Sequence, residues 1–299
     1  MVRLVSLLPS ATEIVDALGL SGDLVGVSFE CDQPPGIRER AAVVVGGLDT
    51  VGLSPGEIDA AVRARVAAGE DLYTLHAGAL AELAPDLVIT QDLCQVCALP
   101  AGAVTDALAH LGTTADVLTL DPHTLDDVLA TITAVGARAG VPDRAAEVAD
   151  ALRARLAAVA RAVAGRPRPR VAVVEWVDPP FTAGHWVPDL VAAAGGEPVG
   201  AVAGTRSVPT TWDAIEAGDP EVVLVAPCGF GLEAAVEQAR EVAAHLPGRT
   251  VWAIDADGLV VRPGPRLVDG VEAIALVLHP GAVPASAAVA LVAGSPAQR

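Results

Sequence analysis

Lysine and asparagine are both absent from this 299-residue chain. The first absence excludes a lysine-bearing phosphate loop and Schiff-base chemistry. The second excludes N-glycosylation. Aromatic residues make up only 3%, so the core has to be built from Ala, Val, Leu and Ile, and each ring is worth locating. Acidic residues outnumber basic ones 37 to 19, for a formal charge of -18. Nucleic acid is a poor partner for such a surface, because phosphate binding needs basic residues. The acidity reads first as a solvated surface and second as a face for a basic partner.

Also missing is any apolar run long enough to span a bilayer. The opening, Met1 to Leu20, lacks the basic head, long apolar run and small-residue cleavage site of a signal peptide. Its apolar run stops at Pro9-Ser10 and an amphipathic pattern follows, and no lipobox-like cysteine lies near the start. The expectation is a cytoplasmic protein without membrane insertion, periplasmic or extracellular only if the start is misassigned.

What is present is a globular composition, 52% hydrophobic and 19% charged, in a chain long enough for two domains. The pattern repeats in two halves. In the first, a strand from Arg3 to Leu8 leads into a helix from Ala11 to Leu18, with Ser10 as its cap and Glu13 completing a capping box. A strand Leu24–Ser28 follows, then a helix from Ala77 to Leu83 and a strand from Leu87 to Thr90. The second half repeats the order: strand Arg170–Glu175, a loop from Trp176 to Trp186, helix Val187–Ala194, helix Trp212–Ala217 and strand Val222–Val225. The segments APDLVITQDLC and DPEVVLVAPC are the clearest echo. Strand, helix, strand order with short connections predicts a parallel sheet in each half. Between them, apolar positions such as Val128, Ile132, Leu152 and Leu156 recur at helical spacing from about Thr124 to Ala164, interrupted at Gly140-Val141-Pro142. The expected class is α/β: a lobe over 1–122, a helical connector over 123–166 and a second lobe over 167–299.

In parallel α/β sheets, ligands bind at the carboxyl ends of the strands. The unusual residues fall there. Phe29, Glu30, Cys31 and Asp32 follow one strand, and Cys94 and Cys97 follow another. Glu175 and Trp176 through Phe181, His185 and Trp186 form a third group, and Cys228 with Phe230 a fourth. Arg262 lies in a fifth loop, able to meet an anionic ligand group or to pair with one of the strand-end carboxylates Glu30, Asp32 and Glu175. All four cysteines lie in loops, and Cys94-x-x-Cys97 has metal-ligand spacing. With Cys31 and Cys228 it could complete a zinc site or an iron–sulfur cluster; ordinary loop cysteines are the other reading. Trp176, Phe181, Trp186, Phe29 and Phe230 could grip a flat apolar ligand or pack an interface. His185 could contact a metal or simply hold structure. Nothing resembling a catalytic triad or paired-carboxylate motif stands out, so no enzyme is expected.

The strings RLVSLLPSATEIVDALGL, LVGVSFECDQP, PDLVITQDLCQVCAL, EWVDPPFTAGHWVPDLVAAAGG, PCGFGLE and RPGPRLVDGVE resemble the cobalamin-binding protein group of the helical-backbone metal receptor superfamily, the class III substrate-binding proteins of ABC importers. The likeness runs from about Arg3 to Pro280. It implies two Rossmann-like lobes bridged by a long backbone helix, with a ligand between them and a membrane permease as partner. Trp176, Phe181 and Trp186 would line the ligand site from the second lobe, and Phe29 from the first. The leading expectation is a non-enzymatic binder of cobalamin, another corrinoid or a similar metal chelate, using Phe29, Glu30, Trp176, Phe181, His185, Trp186, Phe230 and Arg262. Its partner would be an ABC permease or a cofactor-handling protein. The alternative is a cytoplasmic metalloprotein holding zinc or an iron–sulfur cluster through Cys31, Cys94, Cys97 and Cys228. A third reading is a scaffold that has lost its ligand.

Overall fold

A computed structural model of the chain describes residues 2–50, 52–91, 101–110 and 115–294. The chain divides into two compact units, one of residues 1–122 and 127–150, the other of 123–126 and 151–299.

The first unit contains β1 (Leu4–Ser6), α1 (Pro9–Ala17), β2 (Leu24–Ser28), α2 (Ile37–Arg40), β3 (Ala42–Gly47), α3 (Pro55–Ala68), β4 (Tyr73–Leu75), α4 (Ala77–Glu82), β5 (Leu87–Gln91), α5 (Ala101–His110) and β6 (Asp116–Leu120). Its sheet runs β4-β3-β2-β1-β5-β6, with β4 alone antiparallel to its neighbour. Val5, Leu7, Val44, Val45, Val88 and Leu80 pack into one buried cluster, closed by Val104 and Leu108 of α5. Ser10 was expected to cap α1 but lies inside it; Leu8 is the capping position and supplies no side-chain bond. Pro9 explains the shift, since its fixed φ and missing N–H suit the first helical position. The chain continues through α6 (Leu125–Arg138) and α7 (Pro142–Val163), separated at Gly140-Val141, and the division between the units falls within α7.

The second unit contains β7 (Arg170–Val177), β8 (Pro180–Thr182), α8 (Val187–Ala193), β9 (Glu197–Pro198), β10 (Val208–Pro209), α9 (Trp212–Ala217), β11 (Val222–Val225), α10 (Leu232–His245), β12 (Thr250–Ile254), α11 (Ala256–Leu259), α12 (Leu267–Leu278) and β13 (Val289–Ala293). Its sheet runs β10-β8-β7-β11-β12-β13, with the short β9 also on β7. β7, β11 and β12 are parallel, whereas β8, β10 and β13 are antiparallel to their neighbours. The sheets are therefore mixed rather than wholly parallel. The stretch expected as a loop from Trp176 is a hairpin, because only Asp178-Pro179 joins β7 to β8 and so short a connection can serve only antiparallel strands.

The sequence echo between the halves has a structural counterpart. Arg3 precedes β1 and its guanidinium donates to the Leu83 carbonyl, while its backbone N–H donates to Asp86. Arg170 opens β7 and does the same with the Asp219 carbonyl and the Glu221 carboxylate. Ala84 and Asp219, each just before a proline, share left-handed φ values of 41° and 47°. In each unit the turn entering the next parallel strand is clamped by an arginine at the start of the central one.

In the second unit the end of α7, the turn after α8 and the end of α12 converge on His279. This imidazole is 4% exposed, and its Nε2 lies 3.3 Å from the Gly195 carbonyl oxygen. Burial pushes its pKa below the usual 6.5, and the nearby Arg166 and Arg168 add to the effect, against the opposing hydrogen bond. The folded state thus holds fewer protons here than the unfolded state, so stability is lost as pH falls through about 6.5. Urea unfolding between pH 7.5 and pH 5 is expected to show this slope, flattened in His279→Gln. An unchanged slope in the variant removes His279 as the cause.

Candidate functional site

The first unit gathers its candidates just past β2. Phe29 is fixed at both ends of its backbone: its N–H donates to the Val45 carbonyl (3.0 Å), and its own carbonyl accepts from Arg38 (2.7 Å). Its half-buried ring lies 6.3 Å from that of Tyr73, the chain's single tyrosine. The Tyr73 hydroxyl is 3.5 Å from a carboxylate oxygen of Glu30. Tyr73 begins β4 and pairs with Gly47 at the carboxyl end of β3, which brings it to the same sheet end as Phe29 and Glu30. Cys31 has a different setting. It is fully buried, with Sγ 3.0 Å from the Thr12 hydroxyl, which also donates to Ser6. That makes it a member of a buried hydroxyl–thiol cluster beside α1.

The second unit gathers its candidates at the carboxyl ends of β7 and β11. Trp176 lies opposite Phe181 in the β7–β8 pair, and Phe181 lies opposite Pro209 in the β8–β10 pair. Residues directly opposite one another in antiparallel strands project to the same face. Trp176, Phe181 and Pro209 therefore form one apolar row across three strands, about 10 Å wide at the usual strand spacing. Phe230, in the loop after β11, extends it, with its ring 5.9 Å from Trp176. The Trp176 indole N–H is anchored on the Asp178 carbonyl at 3.0 Å.

Arg262 stands beside this row through Asp257. The backbone N–H of Asp257 donates to the Phe230 carbonyl. Its carboxylate takes two hydrogen bonds from the Arg262 guanidinium, at 3.1 and 2.6 Å. The Arg262 side chain is only 12% exposed. The carboxylate that the structure pairs with this arginine is Asp257, which is none of the three the sequence suggested.

Trp186 was expected among the ligand-facing rings. It is 4% exposed instead, and its indole N–H donates to the Val260 carbonyl at 2.8 Å. Sitting at the start of α8, it ties that helix to the turn after α11, as a large ring with one polar atom must when buried. His185 is half-buried, with φ of 51°, its ring 5.6 Å from Trp186 and 6.3 Å from His123.

Cys228 is exposed and belongs to the second unit, whereas Cys31 belongs to the first. Cys94 and Cys97 lie outside the described residues. Among the described residues, no group of three or more His, Cys, Asp or Glu side chains could hold a metal ion. The zinc and iron–sulfur readings therefore gain no support, and a fully buried Cys31 hydrogen-bonded to Thr12 argues against its share in them. Pro209 and Asp257 had no sequence signal: strand register adds the first to the row, and a backbone hydrogen bond brings the second to it.

Residues 4–253 match the family model described as "Periplasmic binding protein". No curated protein sequence matches the chain. Among solved structures, it is similar to a periplasmic heme binding protein from Pseudomonas aeruginosa, at 25% identity over 98% of both chains with a TM-score of 0.70. It is also similar to the periplasmic heme-binding protein RhuT from Roseiflexus sp. RS-1, at 25% identity over 90% of this chain and 95% of that one, TM-score 0.63. The periplasmic vitamin B12 binding protein BtuF of Vibrio cholerae shares the fold, at 24% identity over 91% and 94%, TM-score 0.66. The family match overturns the cytoplasmic placement read from the opening residues, since its members are periplasmic binding proteins. The apolar stretch near the start is the buried strand β1, so it is occupied by the fold and carries no information on export.

Proposed function

The chain belongs to the periplasmic binding protein family, and from that premise we propose that it captures a tetrapyrrole-class metal chelate, a corrinoid first, for delivery to an ABC permease. The observation that carries this reading is the row formed by Trp176, Phe181 and Pro209 with Phe230. Its width suits a macrocycle, and its rings are half-buried, so their faces remain available to a flat apolar ligand. The family is one of binding proteins, and the site needs no catalytic group: stacking and desolvation are sufficient to hold a ligand.

Charge favours a corrinoid over haem. Haem carries two carboxylates, which call for cations. Here Arg262 is already engaged by Asp257, and the whole chain carries -18. A corrin ring edged with amides meets no such repulsion and can use carbonyl and N–H partners instead. Haem is the second reading, favoured by the likeness to two periplasmic heme-binding proteins.

Calorimetric titration of the protein with cyanocobalamin, and separately with haemin, tests the proposal. Saturable one-to-one binding of cyanocobalamin at micromolar concentration or below, tighter than haemin, is the expected result. Tighter haemin binding replaces the first reading by the second. No saturation by either removes both.

A further inference from the structure

Gly47 ends β3, and a Cβ placed there would fall well inside contact distance of Cε1 and Cζ of the Phe29 ring. The outer edge of that ring occupies the space a side chain would take. Gly47 is also the register partner of Tyr73, whose ring is the neighbour of Phe29 and whose hydroxyl reaches Glu30. Meanwhile the Phe29 backbone is pinned by Val45 and Arg38, so the ring cannot adjust by sliding along the chain. Three groups at one sheet end thus depend on one missing side chain.

We infer that Gly47 is a specificity-determining position of the first unit, a seat that holds the Phe29 ring beside Tyr73 as a preformed aromatic wall for the chelate. The inference rests on the chelate-binding reading. A larger residue at 47 displaces the Phe29 ring from its seat. The clashing atoms are the far end of a side chain rather than backbone, so the ring can rotate away and the fold survives. What is lost is pre-organisation, which affinity depends on without the contact count changing.

The test is a cycle of Gly47→Ala, Phe29→Ala and the double variant, each titrated with cyanocobalamin and with haemin and each melted thermally. Gly47→Ala is expected to bind whichever chelate the wild type prefers roughly tenfold more weakly, with a melting temperature within a few degrees of wild type. The double variant should bind no more weakly than Phe29→Ala alone, because the clash disappears with the ring. Tyr73, as the only tyrosine, gives a single ring resonance in protein carrying tyrosine labelled at Cζ alone. That resonance should shift in ligand-free Gly47→Ala, a change that simple loss of stability elsewhere does not produce. Wild-type binding with an unaltered Gly47→Ala affinity and resonance overturns this inference and leaves the chelate reading standing. Wild-type protein that binds neither chelate overturns the chelate reading and takes this one with it. Additive losses in the double variant also overturn it, since they mean that Gly47 acts through something other than Phe29.

Discussion

Trp176→Ala is expected to weaken binding of the preferred chelate by about 2–3 kcal/mol, roughly 30- to 150-fold. The indole is an inner member of the apolar row: Phe181 lies opposite it on β8, and the Phe230 ring, tilted by 50°, lies 5.9 Å away after β11. Covering one face of an indole removes on the order of 80 Å² of apolar surface from water, about 2 kcal/mol, and ring contact adds about 0.5–1 kcal/mol. Central aromatic anchors of this kind dominate binding, whereas residues at the rim of a site cost little when truncated. The folded state should lose less, because Trp176 is only half-buried at a strand end. Trp212 provides the control. It stacks on His245 at 4.6 Å, on α9, outside the row. Trp212→Ala should leave chelate affinity within about twofold of wild type. Titration of both variants against the wild type decides the matter: equal losses in the two would remove Trp176 from its special position.

The second large effect concerns stability. Gly270 faces α11 from inside α12, and a Cβ there would collide with the backbone carbonyl oxygen of Leu259. Backbone in a packed turn cannot swing aside as a side-chain tip can. Overpacking of this kind costs about 1–3 kcal/mol and occasionally more. Alanine's better helix propensity returns about 1 kcal/mol. A Cβ driven this far into a backbone oxygen belongs at the upper end of that range, so Gly270→Ala is expected to destabilise the second unit by about 2 kcal/mol net. Gly78→Ala, in α4, is the matched control: nothing lies within 4 Å of the added Cβ, so propensity alone acts and stability should rise by up to about 1 kcal/mol. Urea unfolding followed by circular dichroism measures both. A Gly270→Ala protein as stable as wild type would mean that α11 and α12 can part at little cost. The consequence for function is direct, because α11 carries Asp257, which holds Arg262 beside the aromatic row.

Some of this was legible in the residues. Buried strands announced themselves as short β-branched runs, and Leu24–Ser28, Trp212–Ala217 and Val222–Val225 form with the bounds their patterns give. Gly140-Val141 separates two helices, as an unfavourable helix residue followed by proline should. The antiparallel edges were not legible, because a two-residue strand such as β10 carries no periodicity to read. Nor was the fate of individual rings. Trp176 and Trp186 sit ten residues apart in one apolar neighbourhood, and nothing local says that one is half-exposed and the other 4% exposed. Cys31 looked like a ligand among loop cysteines, and only the packing of α1 against β2 sets it against Thr12.

Composition and local pattern alone determined an acidic α/β chain with repeated halves, few rings clustered near strand ends and no lysine for a phosphate loop, because those properties depend on residue type and spacing along the chain. Tertiary structure decided which rings form a row, which arginine is already paired and which glycine must stay bare. Those depend on strand register and on contacts between residues as far apart as Phe29 and Gly47 or Trp186 and Val260, and a hydrogen bond or a steric clash exists only once such residues have been brought together.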